Sequence, residues 1–297
     1  MRADNAVIIA AGTSSRFAPL SRERHKGLTI VRDEVLIERQ LRQLIEAGIG
    51  KIYIVTGYRA EQFEYLKEKY GVHLIPNGEY KARNNHSSIW AAREVLGGSY
   101  ICSADNYFTV NPFEAEVPEA YYAAEYAEGP TAEWCMHEGP EGFVDGVTIG
   151  GANAWYMIGH AFWSPEFSRR FLGILEGVYH EPWIRDRLWE SVYREHLDVL
   201  RLKVRKYPPG TIYEFDTLDE LRRFDSSYVD DTRSPLLKRL ATRLGVRERE
   251  ITDIKPLMEA DAEAQGFSFT CRGIKYLFHY DRDPATELQE KGGVLDA

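Results

Sequence analysis

Ala6-Val7-Ile8-Ile9-Ala10-Ala11-Gly12-Thr13-Ser14-Ser15-Arg16 decides how this chain folds. Residues 6–10 form a short apolar run that ends in small residues and a glycine, which reads as a buried parallel strand feeding a loop. Downstream, Leu36, Ile37, Leu41, Leu44 and Ile45 make a helical stripe over 36–47, closed by Gly48. Residues 51–56 (KIYIVT) read as a second strand, 61–70 as a helix ended by Gly71, and 72–75 as a third strand. A helix over 87–96 and a strand over 100–103 complete the series. Strand and helix alternating through short connections predict an α/β fold with a doubly wound, mainly parallel sheet. Ligands of such folds sit at the carboxyl ends of the strands, where the Gly12 loop and the Asp105 loop both fall.

From about Tyr121 the rhythm changes. Residues 121–126, 132–136, 146–149 and 155–163 read as β segments, followed by helices over 167–179 and near 186–196 and a strand over 200–206. We read 121 to about 224 as a β lid and closing elements inserted in the same domain. Ser234-Pro235 supplies an N-cap with proline at the first helical position, opening a helix that Gly245 ends. A hairpin over 266–271 and 274–280 turns at Arg272-Gly273. The expected division is therefore a catalytic domain over 1–230 and a small α+β appendage over 231–297, with its last dozen polar residues frayed.

The chain's 297 residues are 44% hydrophobic, enough for a globular core. A formal charge of −9 argues against general nucleic-acid binding, because phosphate backbones reward basic faces. No apolar run approaches the roughly 20 residues of a membrane span. No signal-like segment precedes the first strand, and three widely spaced cysteines favour neither disulfides nor structural zinc. A reducing cytoplasm is the expected setting.

Small residues at 10–15 let backbone N–H groups approach a triphosphate, and Arg16 and Lys26 add the cations that such charge demands. Ala10, Ala11, Gly12, Thr13, Ser14 and Ser15 are thus nucleotide-binding candidates. With Pro19-Leu20 and Lys26-Gly27-Leu28, this stretch resembles the nucleotidyltransferase (pyrophosphorylase) signature AAGxGSRxxPLTxxxPKxL. Ser14 stands where that family has Gly, and His25 where it has Pro. The resemblance implies Arg16 on the β/γ-phosphates and Lys26 on the α-phosphate.

The likeness extends to the bacterial phosphocholine cytidylyltransferases through Gly57-Tyr58, the 63–72 stretch, Asn84-Asn85, Ala104-Asp105-Asn106-Tyr107, Glu133-Trp134 and Ile212-Tyr213-Glu214. It implies a Mg²⁺-dependent CTP:phosphocholine cytidylyltransferase. A CTP:2-aminoethylphosphonate or phosphoethanolamine enzyme is the alternative, with a non-catalytic nucleotide-binding module or a sugar-phosphate enzyme as rivals. Tyr58, Ala104, Asn84, Asn85 and Ser87 join the nucleotide site, the last three near the base, although Asn84-Asn85 would equally cap the helix that follows. Asp105 and Asp216 are the expected metal ligands; strand alternation over 213–216 would put Glu214 and Asp216 on one face.

For the acceptor's ammonium the resemblance points to Trp134, Asp186 and Trp189. Glu190, Tyr156 and Glu214 join them by composition, a ring face contributing about 0.5 to 2 kcal/mol to a bound cation. A primary ammonium would instead use acceptors such as Glu190, Asp186, His160 and the Gly150-Gly151 turn. Most tryptophans merely fill cores, and that ordinary reading competes at each position. The appendage resembles the opening strands of choline-kinase-like lobes, but residues 258–265 replace the glycine-rich phosphate turn and kinase activity is not expected. Packing on the main domain and dimerisation are both open to it.

Overall fold

The computed structural model describes residues 1–258, 264–283 and 286–291. The chain divides into two compact units, Met1–Gly12 with Leu36–Glu214, and Thr13–Val35 with Phe215–Ala297.

The larger unit is built on a seven-stranded sheet. Its strands run in the order Lys203–Lys206, Tyr121–Glu138, Val144–Trp163, Ser99–Ser103, Asn5–Ala10, Ile52–Thr56 and His73–Pro76. Asn5–Ala10 pairs in parallel with Ser99–Ser103 on one side and Ile52–Thr56 on the other. Val7 and Ile8 are fully buried, as the continuous apolar run requires of a strand covered on both faces. Val144–Trp163 enters antiparallel, making the sheet mixed.

The four short β segments expected after Tyr121 are two strands, Tyr121–Glu138 and Val144–Trp163, of 18 and 20 residues. Turn-like residues such as Gly129-Pro130 and Gly150-Gly151 broke the pattern in sequence; in the fold they are absorbed as register shifts within one pair of strands. The helix Pro165–Val178 and the helix Trp189–Arg194 follow, and Phe167, Phe171, Leu175, Trp189, Val192 and Tyr193 join the core with Trp163 and Tyr179. Among the described residues no helix is long and apolar enough to cross a membrane.

The smaller unit joins chain segments distant in sequence. The Asp225 carboxylate accepts from Arg32 N at 2.7 Å, Tyr228 Oη donates to Ile30 O at 2.6 Å, and Glu23 Oε1 accepts from Leu236 N at 3.0 Å. These long-range bonds explain why the division does not fall between 230 and 231: residues 13–35 belong with the C-terminal part. Here the strands Ile251–Met258, Ala264–Cys271, Ile274–His279 and Leu288–Lys291 form an antiparallel sheet, confirming the hairpin and adding a strand on each side. Most of the 258–265 segment, and the last six of the twelve residues expected to be frayed, lie outside the described residues; of the other six, Leu288–Lys291 form a strand.

Ser234 caps the helix Pro235–Leu244 by accepting from Leu237 N at 3.1 Å, and Gly245 closes it in the left-handed region. Ser234→Ala should therefore cost about 1 kcal/mol, the usual value of an N-cap. Chemical denaturation followed by circular dichroism checks it, with Ser234→Asp expected to stay near wild type.

Candidate active site

Two strand ends in the larger unit carry the first candidates. Ala10 and Ala11 are buried, and Ala11 O accepts from Tyr58 N at 3.0 Å. Gly57 is required beside it: a Cβ there would lie 2.8 Å from Ala11 O and 2.7 Å from the Tyr80 ring. Tyr58 therefore holds the loop through its backbone. Tyr80, packed on Gly57, was not singled out in sequence because nothing local distinguishes it.

The Asp105 turn is held just as closely. Ala104 N donates to Ile9 O at 3.1 Å, and Gln40 Nε2 donates to Ser103 O at 2.8 Å and Asn106 O at 3.0 Å. One buried amide on the helix Leu36–Glu46 thus bridges both shoulders of the turn that carries Asp105.

A second group gathers carboxylates and aromatic rings. The partly buried Glu190 accepts from Asn85 Nδ2 at 3.2 Å and from Tyr122 Oη at 3.3 Å. Desolvation pushes its carboxyl up to about 7, against the lowering effect of these bonds. Burial drives the Tyr122 hydroxyl well above its usual range, helped by the charges of Glu190 and Glu214. Tyr156 pairs with Glu125 across the two long strands. Its hydroxyl is pushed up to about 12 by burial and by the charges of Glu125, Glu133 and Glu214. Glu214 acts on both tyrosines, so these side chains share one field of negative potential.

Glu125 is a positioning residue that sequence reading missed. Its carboxylate accepts from Gly210 N at 3.1 Å, Thr211 N at 2.9 Å and Ile212 N at 2.7 Å, fixing the approach to the strand Ile212–Glu214. A single acid inside the apolar run YYAAEYA was the available signal. Tyr122 was legible in the same run, because alternation sends it away from Tyr121, whose hydroxyl meets His160 at 2.9 Å.

Several expected acceptor residues are placed differently. Trp189 is only 3% exposed and stacks on Tyr122 at 5.6 Å, with Trp163 at 5.1 Å. Its face is committed to the core, because positions 189, 192 and 193 share the buried stripe of their helix. Trp134 is half-buried, and the Arg194 guanidinium lies 5.5 Å over its ring. Asp186 is exposed, and its charge acts on His86. His160 is buried among Tyr100, Phe108, Phe113 and Tyr121, and desolvation lowers it to about 3, so it is a neutral core residue.

The Asn84, Asn85 and Ser87 group also departs from expectation. Asn85 Oδ1 accepts from Trp189 N at 2.8 Å while its amide reaches Glu190, so this residue serves the carboxylate group rather than capping its helix. Asn84 donates to Asp186 O at 3.1 Å. Ser87 is buried, donating to Asn84 O and accepting from Asn77, which commits its hydroxyl to the protein instead of a base.

The phosphate loop passes into the smaller unit after Gly12. Ser14 adopts φ 51° and ψ 44°, the left-handed conformation that glycine enters more easily, so the substitution preserves the backbone shape at a local cost. Thr13 Oγ1 and Ser15 Oγ hydrogen-bond at 2.9 Å. His25, with φ −57°, keeps a backbone angle proline would have, and its Nδ1 accepts from Gly27 N at 3.1 Å, capping the turn Lys26–Leu28. Lys26 is 4% exposed and meets Asp216 Oδ1 at 2.9 Å; Arg16 meets Asp216 Oδ2 at 2.6 Å.

Alternation does not carry Asp216 onto a face with Glu214, because the strand Ile212–Glu214 stops first. Glu220 takes Asp216 N at 2.7 Å and Thr217 N at 2.9 Å in a capping box, turning the backbone into the helix Leu218–Phe224. As donors, Asp105 and Asp216 suit Mg²⁺ in kind, since that ion takes one or two hard carboxylate oxygens and completes its shell with phosphate and water. Among the described residues no three His, Cys, Asp or Glu side chains converge to form a closed metal cage.

Because the Trp189 indole is core, Trp189→Ala should cost about 3–5 kcal/mol of stability. Trp134→Leu should cost far less, and urea denaturation of both variants separates the two environments.

Comparison with known proteins matches residues 6–124 to the MobA-like NTP transferase domain. The chain is 32% identical to the choline-phosphate cytidylyltransferase of Streptococcus pneumoniae, over 74% of this chain and 96% of that one. It is 33% identical to the 2-aminoethylphosphonate cytidylyltransferase of Lancefieldella rimae, over 77% of this chain and 95% of that one. The solved structure of CTP:phosphocholine cytidylyltransferase from Streptococcus pneumoniae superposes with a TM-score of 0.72 at 31% identity, over 76% of this chain and 99% of that one. With a doubly wound sheet, a closely held loop after its central strand and relatives matched over nearly their full length, this chain belongs to the cytidylyltransferase family and is a nucleotidyltransferase.

Proposed function

We propose that this enzyme transfers a cytidylyl group from CTP to the phosphate of a small cationic amine, phosphocholine foremost. The observation that carries the acceptor is the field of negative potential around Tyr122 and Tyr156, made by Glu190, Glu214, Glu133 and Glu125. A permanent cation against the half-buried Tyr156 ring answers both the charge and the aromatic surface. The acidic group also argues against a neutral sugar phosphate, which offers no positive charge to it. CTP and phosphocholine are also the substrates of the pneumococcal enzyme on which this chain superposes.

In the proposed reaction an acceptor phosphate oxygen attacks the α-phosphorus in line, the new P–O bond forms, and the bond to pyrophosphate breaks. The acceptor phosphate is already ionised, so no side chain is assigned as general base. Arg16 and Lys26 orient the triphosphate and offset charge gathering on the leaving pyrophosphate. Asp105 and Asp216 are each carboxylates of the kind that would hold Mg²⁺, which when bound supplies further neutralisation of phosphate charge.

A second reading is favoured by one observation. Asn85 and Tyr122 hold Glu190 by hydrogen bonds, leaving its oxygens oriented for a donor. A primary ammonium, as in 2-aminoethylphosphonate, uses such oxygens fully, whereas a trimethylammonium has no N–H to give. Pyrophosphate release from CTP with phosphocholine, 2-aminoethylphosphonate, phosphoethanolamine and glucose 1-phosphate separates the cases. Highest kcat/KM with phosphocholine supports the first reading and with a primary amine the second; preference for the hexose phosphate overturns both.

Glu190 also sets a pH dependence. Its raised carboxyl must ionise to attract the acceptor, so kcat/KM for the acceptor should rise as pH increases through about 7. Glu190→Gln should raise the acceptor KM roughly ten- to hundredfold, the value of a hydrogen bond or ion pair to a charged group. That variant should keep only the limb from the acceptor's own phosphate, near pH 6. An unchanged profile would remove Glu190 from the acceptor site.

A further inference from the structure

We propose that Asp216 is the internal counter-ion of Arg16 and Lys26, a carboxylate that the nucleotide's phosphates must displace before either cation reaches them. This rests on the reading above that these two cations meet the triphosphate, and goes beyond Asp216 as a metal ligand.

Three observations carry it. Lys26 is 4% exposed, and a buried ammonium is costly without an anion; Asp216 Oδ1 supplies one at 2.9 Å. The other oxygen of the same carboxylate holds Arg16 at 2.6 Å. One carboxylate thus presents an oxygen to each cation, as a phosphate group would. The backbone of Asp216 is also fixed independently of the cations. Glu220 Oε2 accepts from Asp216 N and Thr217 N, while Thr217 Oγ1 accepts from Glu220 N at 3.2 Å. Asp216 is therefore pinned by its backbone to a helix start and stays there when the cations turn away.

The two ion pairs differ in strength. The Arg16 side chain is 73% exposed, so solvent screens its pair and the guanidinium exchanges readily to phosphate. Lys26 is screened far less, and its transfer is the costly one. Once the cations turn to phosphate, Asp216 is an uncompensated negative charge next to them. Nucleotide binding without added metal is thereby opposed by a residue of the phosphate site itself. Asp216 keeps Lys26 placed and unavailable to single weak anions until a polyanion competes for both cations together.

The test is the affinity of CTP for the full chain in EDTA, measured by calorimetry. Asp216→Asn should tighten metal-free CTP about a hundredfold, the order expected from removing one like charge some 6 Å away at an effective dielectric of about 20. Equal metal-free affinity in wild type and Asp216→Asn overturns the proposal and leaves Asp216 at most a metal ligand. Lys26→Ala reports on the reading beneath it: weakened metal-free binding upholds the phosphate role, whereas unchanged binding removes that reading and the proposal with it. Should Asp216→Asn fail to fold because the buried Lys26 has lost this carboxylate, the comparison moves to a Lys26→Met background. Adding Asp216→Asn there must still tighten metal-free CTP, and no change overturns the proposal equally.

Discussion

The larger unit depends on one constraint, the burial of Asn5–Ala10 between two parallel neighbours. Its backbone is satisfied by Ser99–Ser103 on one side and Ile52–Thr56 on the other, and its side chains are covered on both faces. A strand so placed has no freedom of register, because a slip of one residue would misalign both ladders. Its end is correspondingly fixed, and so are the two loops that leave the sheet there. Tyr58 holds one through Ala11 O, and Gln40 with Ile9 holds the other. The family chemistry needs loop atoms placed to within fractions of an ångström, and a central strand supplies that better than any surface contact.

The second organising principle is charge management. The larger unit collects carboxylates around tyrosines, at the cost of desolvating Glu190 until its proton is held near neutrality. The smaller unit brings Arg16 and Lys26 together and answers them with Asp216. In each case a strong local potential exists before any substrate arrives, and the protein's own polar groups hold it in place. Asn85 and Tyr122 do so for Glu190, and the Glu220 capping box does so for Asp216. Preorganised charge of this kind costs no reorganisation when a charged ligand arrives.

Two departures from the family pattern have simple local explanations. Ser14 enters the left-handed conformation, and His25 combines a proline-like φ with a cap on the next turn. Both keep the backbone path while changing the side chain, so the loop's shape survives a change in its residues.

The sheet, the loop that follows its central strand and the appended hairpin were legible in the residues alone, because each rests on a local pattern: an apolar run into small residues, a helical stripe into glycine, Ser-Pro opening a helix. The family was legible for the same reason, through contiguous motifs such as 10–16 and 104–107. What only the tertiary structure decided concerns side chains whose roles depend on distant partners. Trp189 and Trp134 are both tryptophans near acids, yet one is committed to the core and the other lies beneath Arg194. Glu125 became a positioning residue through residues 210–212, and Asp216 became the partner of cations some 190 and 200 positions earlier. Residues 13–35 joined the C-terminal unit through bonds spanning about as far. Periodicity reports which face of an element is apolar; it carries no record of which other element covers that face, and that choice sets every burial, charge pairing and pKa at the site.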